Sequence, residues 1–142
     1  MAERFEIEIV TPDRLVVKDY AEEMQIPGKG GYLGILPGHA PLITELAVGE
    51  ITYRTDIQTE RLAVAWGFAE ILPDKVTVLA ETAERPAEID VARAQEAKSR
   101  AEEKLKSGDP DVNYPQTLYA LQRAEVRLKV ASQGSPAAHL QH

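Results

Sequence analysis

The chain has 142 residues, 44% of them hydrophobic and 27% charged, which fits an ordinary domain with an appendage and excludes a disordered or low-complexity chain. It has no cysteine, so a disulfide framework, a thiolate metal site and a cysteine nucleophile are all ruled out. The net charge of −7 belongs to the first part: residues 1–87 hold 15 acidic and 8 basic groups, residues 88–142 hold 8 of each, and such a balance argues against binding a nucleic-acid backbone.

The opening MAERFEIEIV is acidic and alternating, unlike a signal or transit peptide. It places Phe5, Ile7 and Ile9 on one face and glutamates on the other, the period of a half-buried strand. Turn residues then recur at Thr11-Pro12-Asp13, at 28–31 (GKGG), at 37–39 (PGH) and at 48–50 (VGE). ITYRT, RLAVAW, FAEIL and KVTVLA read as four later strands, joined by residues 56–60 and by Pro73-Asp74. Short strands at this spacing predict an antiparallel β-sandwich or flattened barrel over about residues 1–87. No run approaches the ~18 apolar residues of a membrane span, so direct membrane insertion is not expected.

Past ETAERPAEID the composition turns to alanine and alternating charge, and the period changes. Ala94, Ala97, Ala101 and Leu105 form one helical stripe, and Leu118, Leu121, Ala124 and Leu128 a second. Gly108 and Pro110 suit the turn between them, and Pro115 the first turn of the second helix. A two-helix antiparallel hairpin over 88–132 is therefore predicted, followed by a flexible tail at 133–142. Its stripes are mostly alanine, and burial contributes only ~0.8 kcal/mol per CH₂, so the hairpin should open at a cost of a few kcal/mol.

The candidate chemistry is sparse. His39, in the stretch GGYLGILPGHAPLI, has no neighbouring histidine, cysteine or serine to complete a metal site or a nucleophilic pair, which argues for a structural or contact role. The glycines at 28–31 lead into an apolar strand and lack the Gly-Lys-Ser/Thr ending of a phosphate-binding loop. Trp66 reads as core or interface. His139 and His142 have a metal-compatible spacing but lie in the predicted tail. Arg93 and Arg100 share one face of the first helix, Arg123 and Arg127 one face of the second. Folded side by side, the four guanidiniums can meet an anion; equally, Arg93 can pair with Glu96 and Arg100 with Glu103 as ordinary surface charges.

Four ordered segments carry a family resemblance: EIVTPDRLV, GYLGILPGHAPL, GFAEILPDKVTVLAETAER and IDVARA. Across nearly its whole length the chain resembles the epsilon subunits of F-type ATP synthases. The resemblance implies an N-terminal β-sandwich bound to the gamma subunit and touching the c-ring, with Lys29, Tyr32 and His39 as contact residues. Some relatives carry an acidic residue at the position of Tyr32. It implies a C-terminal hairpin that can extend toward the alpha/beta hexamer and obstruct ATP hydrolysis, with Arg123, Arg127 and Lys129 facing acidic surfaces there.

Some bacterial members bind ATP on the folded hairpin through an Ile/Leu-Asp-x-x-Arg-Ala motif, matched here by Ile89, Asp90, Arg93 and Ala94, with Glu84, Arg100, Arg123 and Arg127 in the further positions. Asp90 and Glu84 would then supply acceptors near the adenine edge and the arginines would neutralise the phosphates. ATP is thus a regulatory ligand rather than an obligatory cofactor, no metal is implied, and the subunit has no active site of its own. The implied location is peripheral, on the cytoplasmic face of a bacterial inner membrane. Two other readings compete: a freestanding ATP-sensing module, and a small hydrolase centred on His39.

Overall fold

The computed structural model describes residues 3–133. Eight strands come first: β1 (Phe5–Val10), β2 (Leu15–Ala21), β3 (Glu23–Gly28), β4 (Gly31–Ile35), β5 (Leu42–Leu46), β6 (Gly49–Arg54), β7 (Thr59–Ile71) and β8 (Lys75–Glu84). A single 3₁₀ turn at Pro86–Glu88 leads into helices α1 (Val91–Ser107) and α2 (Tyr114–Gln133). The β-sandwich followed by two helices is the architecture expected from the pattern. Of the predicted tail, residues 134–142 lie outside the described residues, and His139 and His142 with them.

The pairing order runs β2-β1-β8-β7-β5-β3-β4, with β6 joining β3 to β7. All pairs are antiparallel except β1 with β8, which is parallel, a long-range pairing that strand spacing does not reveal. Alternation works as predicted: Phe5, Ile7 and Ile9 are buried and meet Ile26, Ile51, Leu62, Ile71, Val76 and Val78 in one core. Tyr53 lies there too, and burial pushes its phenol up to about 12, against the opposing field of Arg85.

The strands expected from RLAVAW and FAEIL form a single 13-residue strand, β7, with a bend inside it. Before the bend β7 pairs with β6, from Thr59 to Val64; after it β7 pairs with β5, from Gly67 to Ile71. Since β3 touches both β5 and β6, the circuit closes and the sandwich has the character of a flattened barrel. The bend sits at Trp66 and Gly67, both in the positive-φ region, at 50° and 134°. Trp66 holds this left-handed conformation at a cost of roughly 1–2 kcal/mol, and its amide donates to the carbonyl of Ala47. Gly67 is required for a second reason, because a Cβ there would lie 1.9 Å from the backbone oxygen of Leu79.

Helix α1 starts at an N-cap, Asp90, whose carboxylate accepts the Arg93 amide, and ends at Gly108 in the left-handed conformation, as its glycine predicted. The Asn113 side chain accepts the Gln116 amide at the start of α2, where Pro115 occupies the first turn. The helices pack through Ala94 and Ala101 on one side and Thr117 and Ala124 on the other.

Gly67→Ala should destabilise the sandwich by about 3 kcal/mol, through a clash with a backbone atom and an unfavourable φ together. Urea unfolding followed by circular dichroism measures this; a loss below ~0.5 kcal/mol would show that the bend does not need a bare Cα.

Candidate functional site

The residues singled out from sequence fall into two places. One is the seam where the hairpin meets the sandwich. The other is the loop region around the β3–β4 turn, where Lys29 also borders a groove with Trp66 and Gln122.

At the seam, α2 runs across β7, β6 and the 3₁₀ turn. Ile89 is buried there with Ala63 and Val130, flanked by Val126 and Ala131. Glu84 and Arg127 face each other as a forked pair, Nε to Oε1 at 2.7 Å and Nη2 to Oε2 at 3.0 Å. Both side chains are mostly covered, so this pair contributes more than an exposed one. Arg123 lines the same crevice, beside Thr82, Glu84 and Arg127. Higher on α2, the ring of Tyr119 stacks on Trp66 with centroids 3.8 Å apart and planes 16° from parallel. Burial raises the Tyr119 phenol above its ordinary value, opposed by Arg123 and aided by Glu81.

The other hairpin candidates lie along α1. Asp90 caps the helix, Arg93 is exposed, and Ala94 is fully buried against α2. Arg100 borders a groove of about 380 Å³ between the helices, with Lys104, Gln116, Thr117 and Ala120. Neither Arg93 with Glu96 nor Arg100 with Glu103 forms an ion pair; among the described residues the hairpin arginine that does is Arg127. Arg93, Arg100 and Arg123 therefore keep their guanidiniums for other partners, whereas Arg127 and Glu84 occupy one another. Lys129 is exposed on α2.

In the loop region Lys29 sits in the two-residue turn between β3 and β4, exposed and paired with Glu45 at 2.8 Å. Tyr32 as a residue is 57% exposed, yet its hydroxyl accepts the Glu50 amide at 3.0 Å. It packs over Gly49, where a Cβ would come within 2.7 Å of that hydroxyl. His39 is half-buried, with Nδ1 2.7 Å from the carbonyl oxygen of Ala40. The loop carrying it is tied to the β7–β8 turn by the Gly38 amide on the Pro73 carbonyl. Among the described residues no group of three histidine or acidic side chains has the geometry of a metal site.

Sequence reasoning named Glu84, Arg123, Arg127 and Trp66 but missed the apolar and aromatic residues of α2 that fasten the hairpin. The stripe at Leu118, Leu121, Ala124 and Leu128 was singled out, but Tyr119, Val126 and Val130, in helical spacing with Arg123, line the face toward the sandwich. The linker between sandwich and hairpin was missed as well. The Arg85 guanidinium donates to the Val16 carbonyl, and Arg14 pairs with Glu88 at 2.5 Å, so both ends of the 3₁₀ turn are pinned to β2 and the turn before it.

Comparison with known proteins covers both regions. Residues 4–86 match the family described as ATP synthase, Delta/Epsilon chain, beta-sandwich domain, and residues 87–132 the one described as its long alpha-helix domain. The ATP synthase epsilon chain of Koribacter versatilis is 73% identical over 111 residues, 78% of each chain. That of Geotalea uraniireducens is 44% identical over 136 residues, 95% of this chain and 99% of its own. A chain in the cryo-EM structure of the Euglena gracilis mitochondrial ATP synthase superposes with a TM-score of 0.77 at 23% identity, over 91% of this chain and 81% of that one. One in the central stalk and c-ring of the Tetrahymena thermophila mitochondrial enzyme gives 0.56 at 12% identity, over 92% and 96%. At such identities the two structures speak for the fold.

The pinned turn carries a pH signature. Burial pushes the Glu88 carboxyl up, but the Arg85 amide and the Arg14 guanidinium outweigh it and hold the group below its ordinary 4.5. A carboxyl depressed in the folded state stabilises the fold above its unfolded pKa, and that contribution disappears as pH falls through the folded value. Glu88→Gln should therefore be less stable than the parent at pH 7 and equal to it near pH 3; urea midpoints at the two pH values test this, and an unchanged gap would refute it.

Proposed function

The chain belongs to the ATP synthase delta/epsilon family, and on that premise we propose that it is a non-catalytic rotor subunit of the central stalk which couples proton flow to ATP synthesis and restrains hydrolysis through its C-terminal helices. The sandwich is the part that grips gamma and the c-ring, with Lys29, Tyr32 and His39 at the contact. Tyr32 brings an aromatic ring and no charge to it, so this chain lacks the acidic contact some relatives make there. Among the described residues no helix is long and apolar enough to cross a membrane, in keeping with a peripheral place, which we assign to the cytoplasmic face.

The observation that carries the regulatory part is the contrast between the core and the seam. Twenty buried residues hold the sandwich together, whereas the hairpin rests on it through Ala63, Ile89 and Val130, one forked ion pair and one ring stack. Burying Ile89 and Val130 contributes only ~3–6 kcal/mol in total. A ligand that binds the docked hairpin alone adds about 2.7 kcal/mol at a hundredfold excess over its Kd, enough to shift such a balance. ATP is the proposed ligand. Arg93, Arg100 and Arg123 are available for its phosphates and Asp90 caps the helix beside Arg93, while Arg127 has to leave Glu84, or share it, before joining them. Extended, the helices would carry Arg123, Arg127 and Lys129 to acidic surfaces of the alpha/beta hexamer.

The freestanding sensor reading draws on the same arginines, and family membership favours the rotor subunit over it. His39 has a carbonyl for its nearest polar neighbour, which gives the hydrolase reading nothing to build on.

Removing the residues after 87 should leave a sandwich that still assembles equimolarly with gamma and should raise ATP hydrolysis by the assembled complex several-fold. Unchanged hydrolysis by that complex would overturn the restraint, and calorimetry of the full chain with ATP, with Arg93→Ala and Arg123→Ala as controls, separates the sensor from the rotor role.

A further inference from the structure

Trp66 is the chain's single tryptophan, and it stands in an unusual place. It lies at the bend of a central strand, at positive φ, with its ring outside the sandwich and 45% of the residue exposed. A large apolar side chain in a left-handed backbone on a solvent face is disfavoured twice over. The left-handed backbone belongs to the bend, which Gly67 secures against Leu79 and the Trp66 amide on Ala47, but the indole itself takes no part in the core. What the arrangement does achieve is to aim the indole at Tyr119.

The rest of the seam lies elsewhere along α2. Val126, Val130 and Ala131 pack against Ala63 and Ile89 near the C-terminal end, and Arg127 meets Glu84 beside them. Tyr119 is two helical turns earlier, beside an open groove of about 510 Å³ bordered by Lys29, Val48, Trp66, Phe68 and Gln122. The N-terminal half of α2 is held to the sandwich there by the ring stack. The bend has already turned the indole outward, so one partner of the stack is fixed before the helix arrives, and little ordering is lost when it docks.

We propose that the Trp66–Tyr119 stack is the latch of the docked hairpin, a contact that sets how often α2 leaves the sandwich and that acts without any nucleotide. It rests on the reading of the hairpin as a movable element and adds to it a specific pair of residues. Release starts at this end of the helix, with the ring stack, and only afterwards reaches Arg127 and Val130.

The chain has no native cysteine, so spin labels on Glu70→Cys and Glu125→Cys, both exposed positions, report the separation of sandwich and hairpin in the full chain. Trp66→Ala and Tyr119→Ala should each raise the ratio of separated to docked molecules by about threefold to tenfold, in the absence of ATP. The double variant should show no more than either single change, and Tyr119→Phe, which keeps the ring, should behave as the parent. Tyr119→Ala lies on the helix surface and carries the test alone if the Trp66 variant folds poorly. Equal ratios in the parent and in Tyr119→Ala, or effects that simply add in the double variant, overturn the latch and leave the movable hairpin standing. A single short distance in every variant, with no separated molecules at all, overturns both.

Discussion

In β7 the Cα of Gly67 passes so close to the Leu79 carbonyl that no side chain fits between them, and much of the molecule follows from that close approach. It bends one strand so that its first half pairs with β6 and its second with β5, which lets a 13-residue strand serve both layers and close the pairing circuit around the core. It also fixes the preceding residue in a left-handed conformation and so places Trp66 outside. A straight β7 would leave β5 and β6 competing for one edge, and the indole would lie elsewhere than under α2.

The hairpin is attached by contacts of a different kind from those inside the sandwich. The core is continuous apolar packing, with Ile7, Ile26, Ile51 and Val78 among residues shut off from solvent. The seam is discontinuous: an aromatic stack, then a forked ion pair, then a small apolar cluster along one face of α2. Each is worth on the order of 1 to a few kcal/mol. A sum of separate weak contacts can be undone in steps, and a single ligand or partner can offset it, whereas a continuous core unfolds as a whole. The pinned 3₁₀ turn complements this, since Arg14 and Arg85 fasten the base of the hairpin to the sandwich independently of the contacts along α2.

The pairing of Glu84 with Arg127 changes how the cluster of hairpin arginines is understood. Spacing alone puts two arginines on each helix and leaves their partners open between an anion and neighbouring glutamates. The glutamates expected for Arg93 and Arg100 go unused, and the carboxylate that does capture an arginine comes from β8, 43 residues away. An anion entering the hairpin therefore meets three uncommitted guanidiniums and one that must be exchanged away from a carboxylate. On the proposed function, nucleotide occupancy and docking would be linked through Glu84.

Local pattern carried a good deal of this by itself. Period-two alternation at Phe5, Ile7 and Ile9, the glycine and proline turns and the Gly108 stop are decided by residues within a turn of one another, so they could be read before any fold was known. The resemblance carried by segments such as GYLGILPGHAPL named the family on the same local basis. Tertiary structure decided the rest: the parallel pairing of β1 with β8, the fusion of two expected strands into β7, the use of α2's second face, and the choice of Glu84 for Arg127. All four depend on groups far apart in the chain, and a sequence states which side chains are available while only the folded backbone fixes which of them come within reach.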